Sequence, residues 1–133
     1  MALVVRVNSF SYIYGSIPVD ETGNGGGFVF DCRFIINPGQ IEQYWNLTGK
    51  DKEVIEFLDK QKDMQEFLHN VFNIIGKVVN NYLQKGFTDL MISFGCTGGM
   101  HRSVYAAEKT ASFIKDEFPD VEVIINHNEF PGL

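Results

Sequence analysis

The chain has 133 residues, 44% of them hydrophobic and 21% charged, so it is long enough to bury a core without disulfide or metal staples. Its 17 acidic and 11 basic residues give a net charge of −6, which argues against general nucleic-acid binding because phosphate backbones repel acidic surfaces. Its two cysteines exclude a disulfide framework and a cysteine-only zinc site. We therefore expect one soluble, cytoplasmic domain spanning residues 1–133, with no signal peptide, membrane span, cofactor or metal.

The first half of the chain predicts two strands and the start of a helical region. Residues 3–7 are rich in β-branched types and indicate a strand, and residues 28–36 indicate a second strand that Pro38 ends. The glycine-rich turn at residues 22–27 lacks the GxGxxG spacing, so we interpret it as a connection and not as a dinucleotide loop. Residues 51–60 predict a short helix.

The second half predicts a repeating strand and helix pattern. Apolar residues at three- and four-residue steps over 64–83 predict a long amphipathic helix, with Gly86 as its C-terminal cap. A strand at residues 89–95, a helix at 102–117 and a strand at 121–126 then complete a βαβ unit. We expect a three-layer α/β sandwich with a mostly parallel sheet, in which ligands bind at the carboxyl ends of the strands.

The chemistry is concentrated between the third strand and the helix that follows it. Residues 95–103 read G-C-T-G-G-M-H-R-S, a glycine-containing loop that enters a helix N-terminus. Free backbone N–H groups, the helix dipole, two hydroxyls and an arginine all favour an anion such as phosphate. A Walker A loop does not fit, because Met100 and His101 stand where that motif needs glycine and lysine.

A cysteine phosphatase is the enzymatic alternative for the same loop. Cys96 to Arg102 matches C-x5-R and is followed by Ser103, as in the phosphate loop of protein tyrosine phosphatases. In that interpretation Cys96 is the thiolate nucleophile and Arg102 stabilises the transferring phosphoryl group. However, Gly95 replaces the usual preceding histidine, and no general-acid aspartate loop is visible.

A family resemblance covers nearly the whole chain. G-C-T-G-G-M-H-R-S-V-Y-A-A-E at residues 95–108 resembles the signature G-C-T-G-G-x-H-R-S-V-x-x-A-E of the C-terminal domain of the RapZ family. V-F-D-C-R-F and N-P within 29–38 resemble its V-x-D-x-R-F-x-x-N-P. L-T-G-K-D at 47–51, F-L-D at 57–59 and the opening at 9–18 agree in order.

The resemblance implies a fold similar to a phosphofructokinase subdomain and a regulatory, non-enzymatic binding function. Its ligands would be an amino-sugar phosphate such as glucosamine-6-phosphate and, as an alternative, RNA in an RNase-adaptor role. It further implies self-association and a separate P-loop ATPase partner. The ligand-binding residues it implies are Asp31, Arg33, Cys96, Thr97, Gly98, Gly99, His101, Arg102 and Ser103.

The chain departs from the family pattern mainly by losing positive charge. The usual loop lysine is Met100, the opening K-H is Ile13-Tyr14, and residues 126–133 replace a basic tail. RNA affinity depends steeply on each neutralised phosphate, so we expect RNA binding to be disfavoured and phosphate binding to be retained. We expect no ATPase-like domain and no ATP hydrolysis. His69 and His127 have no evident partners, and we expect both at the surface.

Overall fold

Four strands form one all-parallel sheet in the computed structural model, which describes residues 2–131. They are β1 (Val4–Ser11), β2 (Phe28–Asp31), β3 (Asp89–Cys96) and β4 (Glu122–His127), and their order across the sheet is β2-β3-β1-β4. Met1 and residues 132–133 lie outside the described residues. They are the two ends of the predicted domain, and residues 132–133 also end the segment 126–133. The predicted α/β class and parallel pairing are confirmed.

The connections between the strands carry the helices. Two short 3-10 helices (Pro38–Gln40 and Glu42–Tyr44) precede α1 (Lys52–Asp59) and α2 (Lys62–Lys85), and α3 (Arg102–Glu117) joins β3 to β4. The two long helices lie where their apolar periodicity predicts them. Gly86 caps α2 at φ 71°, a left-handed conformation that glycine adopts without a Cβ clash.

The two faces of the sheet are covered by different parts of the chain. On one face, Val5, Val7, Ile92 and Phe94 share a continuous core with buried residues from all three α-helices. The opposite face carries Arg6, Asn8 and Asn126, and the connection between β1 and β2 lies beside it, where it lines a cavity of about 440 Å³. No helix within residues 2–131 is long and apolar enough to cross a membrane.

Two strand boundaries differ from the sequence prediction. β1 continues four residues past Val7 to Ser11, because β3 pairs with it along its whole length and β4 pairs with it as far as Ser9. The second strand ends at Asp31 instead of residue 36. The Asp31 carboxylate accepts the backbone N–H of Arg33, and the backbone N–H of Ile35 donates to the carbonyl of Cys32, so the chain turns there.

Candidate functional site

The carboxyl ends of the strands bring most of the predicted site residues to one edge of the sheet. Ser11 pairs with Cys96 across β1 and β3, and Asp31 pairs with Gly95 across β2 and β3. The chain then continues from Cys96 directly into the loop before α3. This edge is where ligands bind in open parallel sheets.

The loop between β3 and α3 presents free backbone donors. Among residues 2–131, the N–H groups of Gly98, Gly99, Met100 and His101 find no hydrogen-bond acceptor. Gly99 has φ 71°, a left-handed conformation that an L-residue adopts only at a cost. These donors lead into the N-terminus of the 16-residue α3, where the helix dipole adds partial positive charge. Such a run of N–H groups is an anion-binding concavity.

Arg102 lies under this loop as a buried cation. Arg102 is 3% exposed, and its NH1 group donates to the carbonyls of Arg33 (2.9 Å) and Ile35 (2.8 Å). Its NH2 group lies 3.3 Å from Thr97 Oγ1. Within the described chain, Nε has no hydrogen-bond partner and no carboxylate lies within ion-pair distance of the guanidinium. Arg102 therefore ties the turn after β2 to the loop, and its positive charge is met by carbonyl oxygens and not by a contacting carboxylate among residues 2–131.

His101, Ser103 and Thr97 are turned partly toward protein partners. His101 is 5% exposed, and its Nε2–H donates to the carbonyl of Tyr44 at 2.9 Å. Ser103 is fully buried. The backbone carbonyl of Thr97 accepts the Ser11 hydroxyl at 2.6 Å, which fixes the start of the loop to the end of β1. Their contribution to a ligand would come mainly from the backbone and from the position they give the loop.

Asp31 and Arg33 form an ion pair at the neighbouring strand end. Arg33 NH2 lies 2.7 Å from Asp31 Oδ2, and the Arg33 guanidinium stacks 3.8 Å above the Tyr12 ring. The Arg33 hydrogen bonds hold the pKa of the Asp31 carboxyl below its usual range. Arg33 lies beyond the end of β2, and the turn that follows Asp31 brings the two side chains together.

Both cysteines are free and buried in the core. Cys96 is 2% exposed, and its thiol donates to Ser103 Oγ at 3.1 Å. Cys32 is fully buried, and desolvation raises the pKa of its thiol well above the usual value. Cys32 therefore behaves as a small apolar residue.

A buried hydrogen-bonded chain at the end of β4 was missed by the sequence prediction. His127 was expected at the surface, but it is 3% exposed, and its Nδ1 lies 2.6 Å from Ser9 Oγ. Its Nε2 lies 2.7 Å from Glu108 Oε2, and because a carboxylate only accepts, Nε2 carries a proton; in the neutral ring Nδ1 then accepts from the Ser9 hydroxyl. Alternation with Val123 and Ile125 was the signal that places His127 on the inner face.

Gly49 is a second residue whose role appears only in three dimensions. Its N–H donates to the carbonyl of Met100 at 2.8 Å. A Cβ at this position would lie 2.3 Å from the His101 carbonyl oxygen and 2.4 Å from the Tyr105 nitrogen, so only glycine permits this approach. The segment around Gly49 thus packs directly against the end of the loop and the first turn of α3.

Comparison with known proteins identifies the family. The family model described as the RapZ C-terminal domain matches residues 3–131. The chain belongs to the RapZ C-terminal domain family. The predicted family resemblance is thereby confirmed.

Curated relatives of this RapZ C-terminal domain are considerably longer. A nucleotide-binding protein of Fervidobacterium nodosum is 39% identical over 95% of this chain and 42% of its own length. Similar proteins from Caldicellulosiruptor saccharolyticus and Bacillus subtilis, the latter named nucleotide-binding protein YvcJ, are 41% and 40% identical over 86% of this chain. This RapZ C-terminal domain spans only 37–42% of these relatives.

Proposed function

We propose that this domain binds a phosphorylated small molecule at the loop between β3 and α3 and serves a regulatory, non-enzymatic role. The observation that carries the proposal is the Arg102 guanidinium, which is nearly inaccessible to solvent and has no carboxylate partner among residues 2–131. A buried charge without a counter-ion is costly, and a bound anion would remove that cost.

The loop supplies the remaining recognition elements for a phosphate group. The free N–H groups of residues 98–101 provide directed donors, and the α3 N-terminus provides partial positive charge. The Asp31–Arg33 pair lies at the adjacent strand end, where a carboxylate and a guanidinium can contact the rest of the ligand. A phosphate bound by convergent backbone donors needs no enclosed cavity.

Two ligand classes fit this arrangement. The family resemblance favours an amino-sugar phosphate, with glucosamine-6-phosphate as the first candidate. The curated relatives carry the name nucleotide-binding protein, and a nucleotide also offers a phosphate to the same donors. We place the amino-sugar phosphate first because Asp31 provides an acceptor for a sugar hydroxyl or amine beside the anion site.

Titration calorimetry of the whole chain with a matched pair of loop variants tests the proposal. The ligands are glucosamine-6-phosphate, glucose-6-phosphate, AMP, ATP, inorganic phosphate and unphosphorylated glucosamine. Gly98→Ala is the control, since a Cβ there meets no atom within 4 Å, whereas Gly98→Pro deletes one N–H donor. We expect phosphorylated ligands to bind the parent and Gly98→Ala, and to bind Gly98→Pro at least tenfold more weakly, the loss expected for about one charge-assisted hydrogen bond.

Two results would overturn the proposal. The first is that no phosphorylated ligand binds the folded parent chain. The second is that Gly98→Pro, with its melting temperature unchanged, binds as tightly as Gly98→Ala. Preference among the sugar phosphates and nucleotides then decides the ligand class.

A further inference from the structure

Glu129 lies between the end of β1 and the glycine loop. It is the second residue after β4, and its Oε2 accepts the backbone N–H of Ser11 at 3.3 Å. A Cβ on Gly99 would lie 2.6 Å from Glu129 Cγ, and a Cβ on Gly15 would lie 2.6 Å from Glu129 Oε2. Because Gly15 and Gly99 have no side chain, the Glu129 side chain can pack closely against both residues.

The position of Glu129 follows from the buried chain at the end of β4. His127 is anchored between Ser9 and Glu108, and Asn128 donates its N–H to the carbonyl of Ser9 at 2.9 Å. These contacts fix the backbone of the segment that carries Glu129. The fixed backbone therefore positions the Glu129 carboxylate beside the loop. No Lys, Arg or His among residues 2–131 lies within ion-pair distance of this carboxylate.

The charge of Glu129 opposes the ligand that the loop attracts. The free donors of residues 98–101 and the Arg102 guanidinium favour an anion, yet Glu129 brings the chain's own anion to the same loop. Among residues 2–131 the only hydrogen bond to Glu129 comes from the Ser11 N–H. The N–H donors of the loop are therefore not occupied by the Glu129 carboxylate. A phosphate at the loop would lie within a few ångströms of this carboxylate, where like charges repel appreciably.

We propose that Glu129 is a specificity-determining residue that weakens the binding of anions at this loop, and weakens dianions more than monoanions. This inference rests on the proposed phosphate site. Electrostatic repulsion scales with ligand charge, whereas steric obstruction does not. Glu129 would thus keep abundant simple anions out of a site that a larger ligand can enter with additional contacts.

Binding of inorganic phosphate by charge variants of the full chain tests this role. At about pH 8 inorganic phosphate is mostly a dianion, and diethyl phosphate serves as the monoanionic probe. Glu129→Gln removes the charge at constant size, and Glu129→Asp keeps the charge while shortening the side chain. Glu122→Gln is the matched control, because Glu122 is an exposed glutamate at the start of β4, away from the loop, and its loss changes net charge equally.

We expect Glu129→Gln to bind inorganic phosphate about five- to fiftyfold more tightly than the parent, as expected for a like charge removed at close range in a partly screened site. Diethyl phosphate should gain less, and Glu122→Gln and Glu129→Asp should match the parent within about threefold. Equal phosphate affinity in the parent and Glu129→Gln would overturn the inference and leave the proposed site intact. A gain in Glu129→Asp as large as in Glu129→Gln would also overturn it. Absence of inorganic phosphate binding in every variant would also overturn the inference, and the proposed site would fall with it only where the sugar phosphates and nucleotides fail to bind the parent as well.

Discussion

His127→Leu tests the buried hydrogen-bonded chain that holds the end of β4. Leucine is close to histidine in size and apolar, so the substitution mainly removes the two polar contacts at 2.6 and 2.7 Å. The Ser9 hydroxyl is fully buried, and His127 is its only hydrogen-bond partner in the described part of the chain. Its loss leaves a buried polar group unsatisfied.

The expected cost follows from the environment of each partner. An unsatisfied buried hydroxyl costs about 1–3 kcal/mol. The Glu108 side chain is 30% exposed, so water replaces part of what it loses, and its contribution stays below about 1 kcal/mol. We expect His127→Leu to lower the free energy of unfolding by about 1–4 kcal/mol in total. For a domain of this size that corresponds to a fall in melting temperature of about 3–20 °C.

A double-mutant cycle measured by urea unfolding separates the contact from general packing. The cycle combines Ser9→Ala with His127→Leu, and we expect a coupling free energy of about 1–2 kcal/mol between them. His69→Leu and Ser112→Ala are matched controls on exposed helix positions and should change stability by less than about 0.5 kcal/mol. A coupling below about 0.5 kcal/mol, the usual error of additivity, would show that the Ser9–His127 contact does not stabilise the fold.

Four further predictions concern the site and its alternatives. Gly49→Ala should destabilise the fold by about 1–3 kcal/mol in urea unfolding, because its Cβ meets backbone atoms, whereas Gly98→Ala should be neutral. Arg33 lowers the pKa of Asp31, so their pair stabilises the fold above about pH 4 and loses this effect as pH falls through the lowered pKa. The stability deficit of Asp31→Asn at neutral pH, below about 1 kcal/mol because the pair is exposed, should therefore vanish in acid. We expect the chain to hydrolyse no aryl phosphate at any pH. Turnover that disappears in Cys96→Ser would contradict the non-enzymatic role. In a gel-shift assay at physiological salt we expect no RNA complex, given the net charge of −6.

The elements of this fold that could be predicted from the sequence are those whose signals are local. The apolar periodicity of α2 and its glycine cap, the start of α3 at Arg102 and the glycine loop before it are all properties of neighbouring residues. Apolar residues three and four apart predict a helix, and glycines between such patterns predict a loop. The family motif around this loop was readable for the same reason.

The contacts of the site residues, in contrast, depend on the folded arrangement of distant segments. Arg102 was expected to clamp an anion directly, yet its NH1 group holds the carbonyls of residues 33 and 35, nearly seventy positions away in sequence. His127 is hydrogen-bonded to Ser9 and Glu108, and Glu129 to Ser11. These contacts arise from strand pairings that no local sequence pattern predicts. These contacts depend on which strands become neighbours and in what register. That choice is made by the burial of the whole core, so it is visible only when the chain is folded.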